Sequence, residues 1–318
     1  MLYLIYLPVL SLIMLLYFRL ADQYGIIDKP NHRSSHSRVT IRGGGIVFPI
    51  ALIIHSLSSG FQYSLFTAGL TLISLVSFLD DIRPLSNKIR LFAHLVSVSL
   101  LFMETDLIEA NVWVLLISYI LLIGTINAYN FMDGINGITG AYSLLAICSL
   151  YFINENRVSF GSSQWLSVSL ISLLVFNFFN FRKRAKCFAG DIGSVSIAFT
   201  IIFFLLQLIL QTDDLKYIGF LLIYGIDSVS TIIFRLIRRE NIFEAHRSHF
   251  YQYLTNVRAW PHLGVSTLYL FMQLVVNVLI ISNKWTTLEF LFFVLISGLF
   301  FVGIRFRFEG VRRLINRE

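Results

Sequence analysis

The sequence predicts an all-α integral membrane protein with about eleven transmembrane helices, its N-terminus outside and its C-terminus cytoplasmic. Of its 318 residues, 56% are hydrophobic and only 14% are charged, and the mean hydropathy is +0.75. Soluble domains are roughly 45–50% apolar and about a quarter charged. The charges also fall in short blocks between long apolar runs. The bilayer is therefore the expected solvent of one polytopic domain that spans residues 1–318.

Eleven apolar runs have lengths near the span of a bilayer, which takes about 20 residues of helix. The first run has no basic leader and no small-residue cleavage site, so we expect a retained span rather than a signal peptide. The second and fourth runs are the short ones. The runs lie at residues 2–19, 44–60, 63–79, 90–104, 111–129, 136–154, 165–181, 192–211, 215–234, 263–282 and 286–304.

The distribution of Lys and Arg predicts the orientation. With the N-terminus outside, 22 of the 25 basic residues lie in cytoplasmic loops and the C-terminal tail, as the positive-inside rule requires. Only Arg157, Lys216 and Lys284 lie outside. The net charge of +7 therefore reflects topology, and a nucleic-acid partner is not expected. Function on a rigid scaffold concentrates in longer loops, which here are cytoplasmic.

Two adjacent carboxylates, Asp80 and Asp81, end the third run. A helix C-terminus disfavours anions, because the negative end of the helix dipole lies there. The pair therefore indicates a divalent metal or a titrating role; a solvated helix end with Arg83 as counter-ion is the alternative.

Asp133 lies in a segment from Asn127 to Gly140 that carries three asparagines and this one aspartate and has no basic residue. A simple turn would explain its glycines but not the cluster of polar groups at a membrane boundary. Asp191 directly precedes the eighth run. It fits either a helix N-cap or a magnesium ligand that faces phosphates near helix N–H groups.

His246 and His249, with Arg247 between them, follow the ninth run. No third or fourth ligand lies at zinc spacing, and Arg binds phosphate oxygens bidentately, so phosphate binding is the favoured interpretation. Asp227 lies within the ninth run. An intramembrane carboxylate is a functional candidate, and pairing with another buried polar group is the equal alternative.

Together these motifs resemble the polyprenyl-phosphate N-acetylhexosamine-1-phosphate transferase family. That family includes the bacterial phospho-N-acetylmuramoyl-pentapeptide translocase and the initiators of O-antigen, enterobacterial common antigen and teichoic-acid linkage synthesis. The loop from Glu244 to Gln252 most resembles the branch that starts O-antigen and related surface polysaccharides. The matching segments are residues 28–45, 80–81, 127–140, 188–194 and 246–252.

The resemblance implies a magnesium ion (or manganese) held by Asp191, with Asp80, Asp81 and Asp133 as catalytic or metal-adjacent residues. Two departures stand out: many members have aspartate where this chain has Asn136, and the segment 182–186 is more basic and one residue longer than expected. The expected substrate-binding residues are Arg38, Arg42, Asn127, Asn130, Asn136, Asn180, Asp227, His246, Arg247 and His249.

The expected reaction is transfer of an N-acetylhexosamine-1-phosphate from a UDP-sugar to undecaprenyl phosphate, with release of UMP. We expect one of Asp80 and Asp81 to accept the proton of the lipid phosphate. The expected location is the cytoplasmic face of a bacterial inner membrane; the donor sugar (GlcNAc, FucNAc, QuiNAc or a relative), the pathway and homodimer formation stay open. The main rival is a transporter, which would need polar residues along a path at the bilayer midplane.

Overall fold

The computed structural model describes residues 2–28, 39–242 and 246–316, and its described part is almost entirely helical. Each of the eleven predicted runs coincides with a helix, which confirms the all-α prediction. The α-helices are α1 (Tyr6–Gln23), α2 (Val47–Ser58), α3 (Ser64–Ile82), α4 (Asn87–Glu104), α5 (Val112–Met132), α6 (Ile138–Asn156), α7 (Ser163–Asn180), α8 (Gly190–Thr212), α9 (Leu222–Ile237), α10 (Phe250–Asn256), α11 (His262–Ser282), α12 (Thr287–Glu309) and α13 (Val311–Ile315).

Seven helical segments within the described ranges are long and apolar enough to cross a membrane. They are α3, α5, α7, α8, the segment Leu215–Ile237, α11 and α12, and Gly44–Ser58 is a shorter apolar helix. Eleven crossings and the orientation of the termini stay predictions.

Helix α8 forms the centre of the bundle. It packs against α2, α3, α5 and α6, and 83% of its apolar 18-residue stretch is buried. In contrast, only 11% of the corresponding 18-residue stretches of α5 and α12 is buried. These two helices therefore present most of their apolar surface outward, as expected for helices whose outer surface meets lipid.

The loop between α1 and α2 reaches the start of α8 through glycines. The N–H of Gly44 donates to the carbonyl of Phe188 (2.8 Å), and that of Gly45 donates to the carbonyl of Ala189 (3.0 Å). A β-carbon on Gly45 would overlap the Cα of Gly193. Before these glycines, β1 (Ile27–Asp28) pairs antiparallel with β2 (Thr40–Ile41), with Ile27 opposite Ile41 and Asp28 opposite Thr40. The loop is thereby held against the first turn of α8.

The ninth run was predicted as one helix, but it begins as a 3₁₀-helix over Leu215–Leu221 and becomes α-helical at Leu222. Such a change leaves backbone groups that lipid cannot satisfy. Gln273 of α11 satisfies them: its Oε1 accepts from the N–H of Ile223 (3.0 Å), and its Nε2 donates to the carbonyl of Gly219 (2.8 Å). The broken span is thus held by a side chain from a neighbouring helix.

Candidate active site

The Asp81 carboxylate joins the end of α3 to the start of α8. It accepts the N–H of Asp191 (2.9 Å) and the N–H of Ile192 (3.0 Å). The first N–H groups of a helix have no partner within the helix, so Asp81 caps α8 from outside. The Arg42 Nε lies 2.7 Å from the same carboxylate, whose side chain is 0% exposed. Asp81 is therefore fully engaged with protein partners.

Asp191 is the second residue of α8, so it is not the N-cap that the sequence left open. Its carboxylate is 19% exposed, with Arg42 Nη2 at 3.4 Å and Arg90 Nη1 at 4.0 Å. The same Arg90 nitrogen lies 3.1 Å from Asp80 Oδ2. Two arginines therefore bridge three carboxylates at one end of the bundle, where α3, α4 and α8 meet.

Arg90 was not among the predicted site residues, although it lies in the first turn of α4. In the sequence it counted only as a topology-setting charge. Its position ten residues after Asp80 was the available signal, since a short connection between α3 and α4 returns the chain to the same end of the bundle.

The segment after α5 adds a fourth carboxylate. Asp133 accepts a hydrogen bond from Thr139 Oγ1 (2.6 Å). The pKa of Asp133 is raised to about 6, chiefly by burial; the hydrogen bond from Thr139 opposes this shift and the charge of nearby Asp191 adds to it. Asn130 accepts from Ser194 Oγ (3.1 Å) in the first turn of α8, which fixes the end of α5 against it.

The other predicted asparagines hold backbone. Asn127 donates to the carbonyl of Ile123 in its own helix (2.8 Å). Asn180 accepts from the N–H of Gly137 (2.8 Å) and donates to the carbonyl of Cys187 (2.8 Å), so it ties two loops together.

Asn136 supports the basic segment 182–186. Its Nδ2 donates to the carbonyls of Arg182 (3.0 Å) and Lys183 (3.3 Å). Its Oδ1 is buried and has no hydrogen-bond partner among the described residues. The two departures from the family pattern, an asparagine at 136 and a longer basic segment, are thus in direct contact.

His246 and His249 lie against the end of α5. The His246 ring is 5.1 Å from the His249 ring and 6.0 Å from the Phe131 ring. The Ser248 N–H donates to His246 Nδ1 (3.4 Å), so the ring proton lies on Nε2. Burial, with the nearby His249, lowers the pKa of His246 to about 3. At neutral pH His246 is therefore a neutral hydrogen-bond donor rather than a cation.

Asp227 is 0% exposed, and its oxygens are occupied by protein groups. It accepts from Tyr269 Oη (2.6 Å) and from the N–H groups of Phe250 (3.0 Å) and Tyr251 (3.4 Å). These contacts favour the alternative of a buried polar pair over direct binding of substrate.

The structure thus brings together Asp80, Asp81, Asp191, Arg42 and Arg90, with Asp133 and Asn130 next to them. The predicted residue Arg38 lies outside the described residues. Arg247 is half-buried in the segment 246–249 before α10, which we call the histidine loop. Among residues 2–28, 39–242 and 246–316, no three His, Cys, Asp or Glu side chains converge closely enough to hold a metal ion by themselves.

Comparison with known proteins shows what this chain is similar to. Residues 63–209 match the sequence profile of Glycosyl transferase family 4. A probable undecaprenyl-phosphate N-acetylglucosaminyl 1-phosphate transferase of Bacillus subtilis (strain 168) is 27% identical over 87% of this chain and 84% of its own length. An undecaprenyl-phosphate alpha-N-acetylglucosaminyl 1-phosphate transferase of Salmonella typhi is 25% identical over 87% of this chain and 80% of its length. A phospho-N-acetylmuramoyl-pentapeptide-transferase of Thermotoga neapolitana is 26% identical over 67% of this chain and 75% of its own length. The resemblance drawn from the motifs is confirmed.

Replacing Asp81 by Asn should destabilise the protein. An amide has one acceptor oxygen, so its NH₂ group would face either Arg42 or an N–H of α8, and a buried unsatisfied group costs about 1–3 kcal/mol. Thermal unfolding in detergent should show a melting temperature lower by several degrees, at roughly 2–4 °C per kcal/mol. Asp22→Asn, at the exposed end of α1, is the matched control and should leave the melting temperature unchanged. Equal melting temperatures for the two variants would contradict the capping role.

Replacing Asn136 by Asp should release the basic segment. A carboxylate cannot donate to the carbonyls of Arg182 and Lys183 and would repel both. Trypsin should therefore cleave within residues 182–186 several-fold faster than in the wild type, as followed by mass spectrometry of the fragments. Asn156→Asp, whose amide bonds only within its own helix, should not change that rate. An unchanged rate in Asn136→Asp would show that the two hydrogen bonds do not hold the segment.

Proposed function

Because this chain is an enzyme related to the undecaprenyl-phosphate sugar-1-phosphate transferases of glycosyl transferase family 4, we propose that it transfers an N-acetylhexosamine-1-phosphate from a UDP-sugar to undecaprenyl phosphate and releases UMP. The bridging of Asp80, Asp81 and Asp191 by Arg42 and Arg90 is the observation that supports this most directly. We place the reaction at the cytoplasmic face of a bacterial inner membrane, as the first step of a surface polysaccharide such as O-antigen. N-acetylglucosamine, named for the Bacillus and Salmonella relatives, is the first donor to test.

The proposed reaction exchanges one phosphoanhydride for another. An oxygen of the lipid phosphate attacks the phosphorus that bears the sugar, and the bond from that phosphorus to the bridging oxygen breaks. UMP leaves with the electron pair. The step needs no ATP, and its main barrier is the approach of two anionic phosphates, which preorganised positive charge reduces.

Arg42 and Arg90 supply such charge. Arginine matches the fork of phosphate oxygens, and both side chains are more than one-third exposed, at 36% and 38%. Neighbouring carboxylates hold them in place before the substrate arrives. We assign both to the phosphates of the substrates.

Asp80 is the better candidate for the proton acceptor. Its side chain is 9% exposed and binds Arg90 and the N–H of Leu85, whereas the Asp81 side chain is fully buried between Arg42 and α8. The second pKa of a phosphate monoester is near 6, so only part of the acceptor pool carries a proton for Asp80 to remove at neutral pH.

The residues present fit a magnesium ion. Mg²⁺ usually takes one or two carboxylates and completes its shell with substrate phosphates and water, so a cluster of three protein ligands is not required. Asp191 is partly exposed beside Asp80 and would hold the ion, with manganese as the alternative metal. When bound, the ion would neutralise charge on the diphosphate.

The assay uses the purified chain in detergent with undecaprenyl phosphate, magnesium and a panel of radiolabelled UDP-N-acetylhexosamines. Equal amounts of UMP and lipid-linked sugar should appear with at least one donor. The proposed function is wrong if the folded protein releases no UMP with any donor of the panel.

Replacing Asp191 by Ala, and separately Asp80 by Asn, should separate metal binding from proton transfer. Asp191→Ala should lower turnover and shift the magnesium dependence to higher concentration, since a ligand is lost. Asp80→Asn should lower kcat at an unchanged magnesium dependence, and the loss should grow toward the ~10²-fold contribution of a general base as the pH falls below about 6 and the lipid phosphate becomes protonated. Steady-state assays over a magnesium titration measure both effects. Full metal-dependent turnover in Asp191→Ala, or wild-type kcat in Asp80→Asn, would reject the corresponding role.

If turnover requires ionised Asp133, replacing Thr139 by Val should move the acid limb of the pH–rate profile to higher pH. Asp133 has a raised pKa, so its ionised form is present above about pH 6 and is lost as the pH falls through that value. Removing the Thr139 hydrogen bond disfavours the ionised form further, and the midpoint of the limb should rise. Thr200→Val, which loses a buried hydroxyl bound only to the carbonyl of Ser196, is the isosteric control. Coincident profiles for wild type and Thr139→Val would argue against a role for ionised Asp133.

A further inference from the structure

Arg305 is a buried cation in a helix that is otherwise largely exposed. Arg305 is 1% exposed, although only 11% of the apolar 18-residue stretch of α12 is buried. A charged side chain within a membrane helix is costly and faces the interior only with partners. The sequence assigned Arg305 to the C-terminal tail, because the last apolar run ends at residue 304. The helix instead continues to Glu309, and Arg305 lies in its packed face.

The partners of Arg305 lead to the histidine loop. Its Nη1 donates to Ser230 Oγ (3.0 Å) and Thr231 Oγ1 (2.8 Å) on α9. Its Nη2 donates to the carbonyl of Ser248 (2.8 Å), the residue before His249. The guanidinium is held in turn by Glu309, whose Oε1 accepts from Nε at 2.6 Å and whose side chain is 2% exposed.

Asp227 holds the other side of the same loop. Besides the N–H groups at the start of α10, its Oδ1 lies 3.4 Å from His249 Nδ1 and 4.0 Å from Arg305 Nη1. Thr231 connects the two charged groups, since its hydroxyl lies 3.2 Å from Asp227 Oδ1 as well. Asp227 therefore contacts the His249 ring, Arg305 holds the carbonyl of the residue before it, and together they form a clamp on this part of the loop.

This clamp determines which nitrogen of His249 is left for a ligand. The carboxylate beside Nδ1 keeps a proton on that nitrogen, so the acceptor lone pair of the imidazole is on Nε2, at the ring edge away from Asp227. His249 is 2% exposed, and Nε2 has no hydrogen-bond partner in the part of the chain that the structure describes. A buried polar atom without a partner is unfavourable unless a ligand completes it. The ring lies 6.5 Å from the Phe131 ring, two residues before Asp133.

We propose that Asp227, Arg305 and Glu309 are positioning residues that hold the His249 imidazole so that its Nε2 accepts a hydrogen bond from a hydroxyl or N–H group of the nucleotide part of the donor. The inference rests on the proposed function for the identity of the donor. It assigns a role to the last membrane helix, which contributes no residue to the carboxylate cluster described above. The three residues act through His249 and do not touch substrate.

The test compares Arg305→Met with Arg307→Met, the same change at an exposed position of the same helix. In Arg305→Met the KM for the UDP-sugar should rise about 10–100-fold, as found when supporting partners of a ligand residue are removed. The KM for undecaprenyl phosphate and the kcat should change by less than about threefold. Arg307→Met should match the wild type. Arg305→Lys should recover part of the loss, because it restores the charge but not the fork of donors.

A milder variant and a binding measurement test the proposal even if Arg305→Met does not fold. Glu309→Gln keeps the shape and one acceptor oxygen, so it should fold and raise the donor KM several-fold. Calorimetric titration of UDP into each purified variant measures donor binding without turnover, and the Kd should follow the same order. Wild-type Kd and donor KM in both Arg305→Met and Glu309→Gln would overturn the proposal, and so would parallel rises in the KM of both substrates.

The two proposals fail differently. Absence of sugar transfer in the wild type would remove the proposed function, and UDP binding weakened by Arg305→Met would still support the clamp on a nucleotide diphosphate. Sugar transfer in the wild type with unaffected Arg305 and Glu309 variants would remove only the clamp.

Discussion

The capping of the start of α8 by the Asp81 carboxylate is the constraint on which the rest of the site depends. α8 is the most buried helix of the bundle, and its first N–H groups lie among protein rather than water. Asp81 accepts two of them from α3, and Arg42, just ahead of α2, compensates its charge. One carboxylate therefore fixes three parts of the chain that are far apart in sequence. Asp191 follows directly behind the capped end, so its own carboxylate is left for other contacts.

The same device occurs a second time. Asp227 caps α10 from α9 by accepting the N–H groups of Phe250 and Tyr251, and Arg305 compensates its charge from α12. In both cases a buried aspartate and its arginine set a residue at the start of a helix, Asp191 in one and His249 in the other. Asp227 and Arg305 are both buried, and removing one member of a buried charged pair is strongly destabilising, so this pair resists rearrangement. A reaction that needs two phosphates at fixed positions gains from such rigidity, because positioning is the main task of the protein in phosphoryl transfer.

Much of the fold could be predicted because hydropathy and length are local properties: each predicted run became a helix. The short helices α10 and α13 have no such signal, and the 3₁₀ start of the ninth run depends on Gln273, fifty residues later. The aspartates were found as candidates, but Asp80 and Asp81 were equivalent in the sequence. Their separate surroundings depend on the rotation of α3 and on partners such as Ile192, 111 residues away. Arg90 and Arg305 were missed because both counted as charges that set topology.

The basic segment 182–186 and Asn136 show why a departure from a family pattern is better interpreted as a pair of changes than as a loss. An aspartate at 136 would face the carbonyls of Arg182 and Lys183 at hydrogen-bond distance, and the repulsion would push the segment away. The amide instead donates to both, while its buried Oδ1 has no hydrogen-bond partner among the described residues. Compared with an aspartate, this end of the site has one negative charge fewer next to four basic side chains. Under the proposed function, a nucleotide diphosphate that approaches this end of the protein would therefore meet a more positive potential than it would with an aspartate at 136.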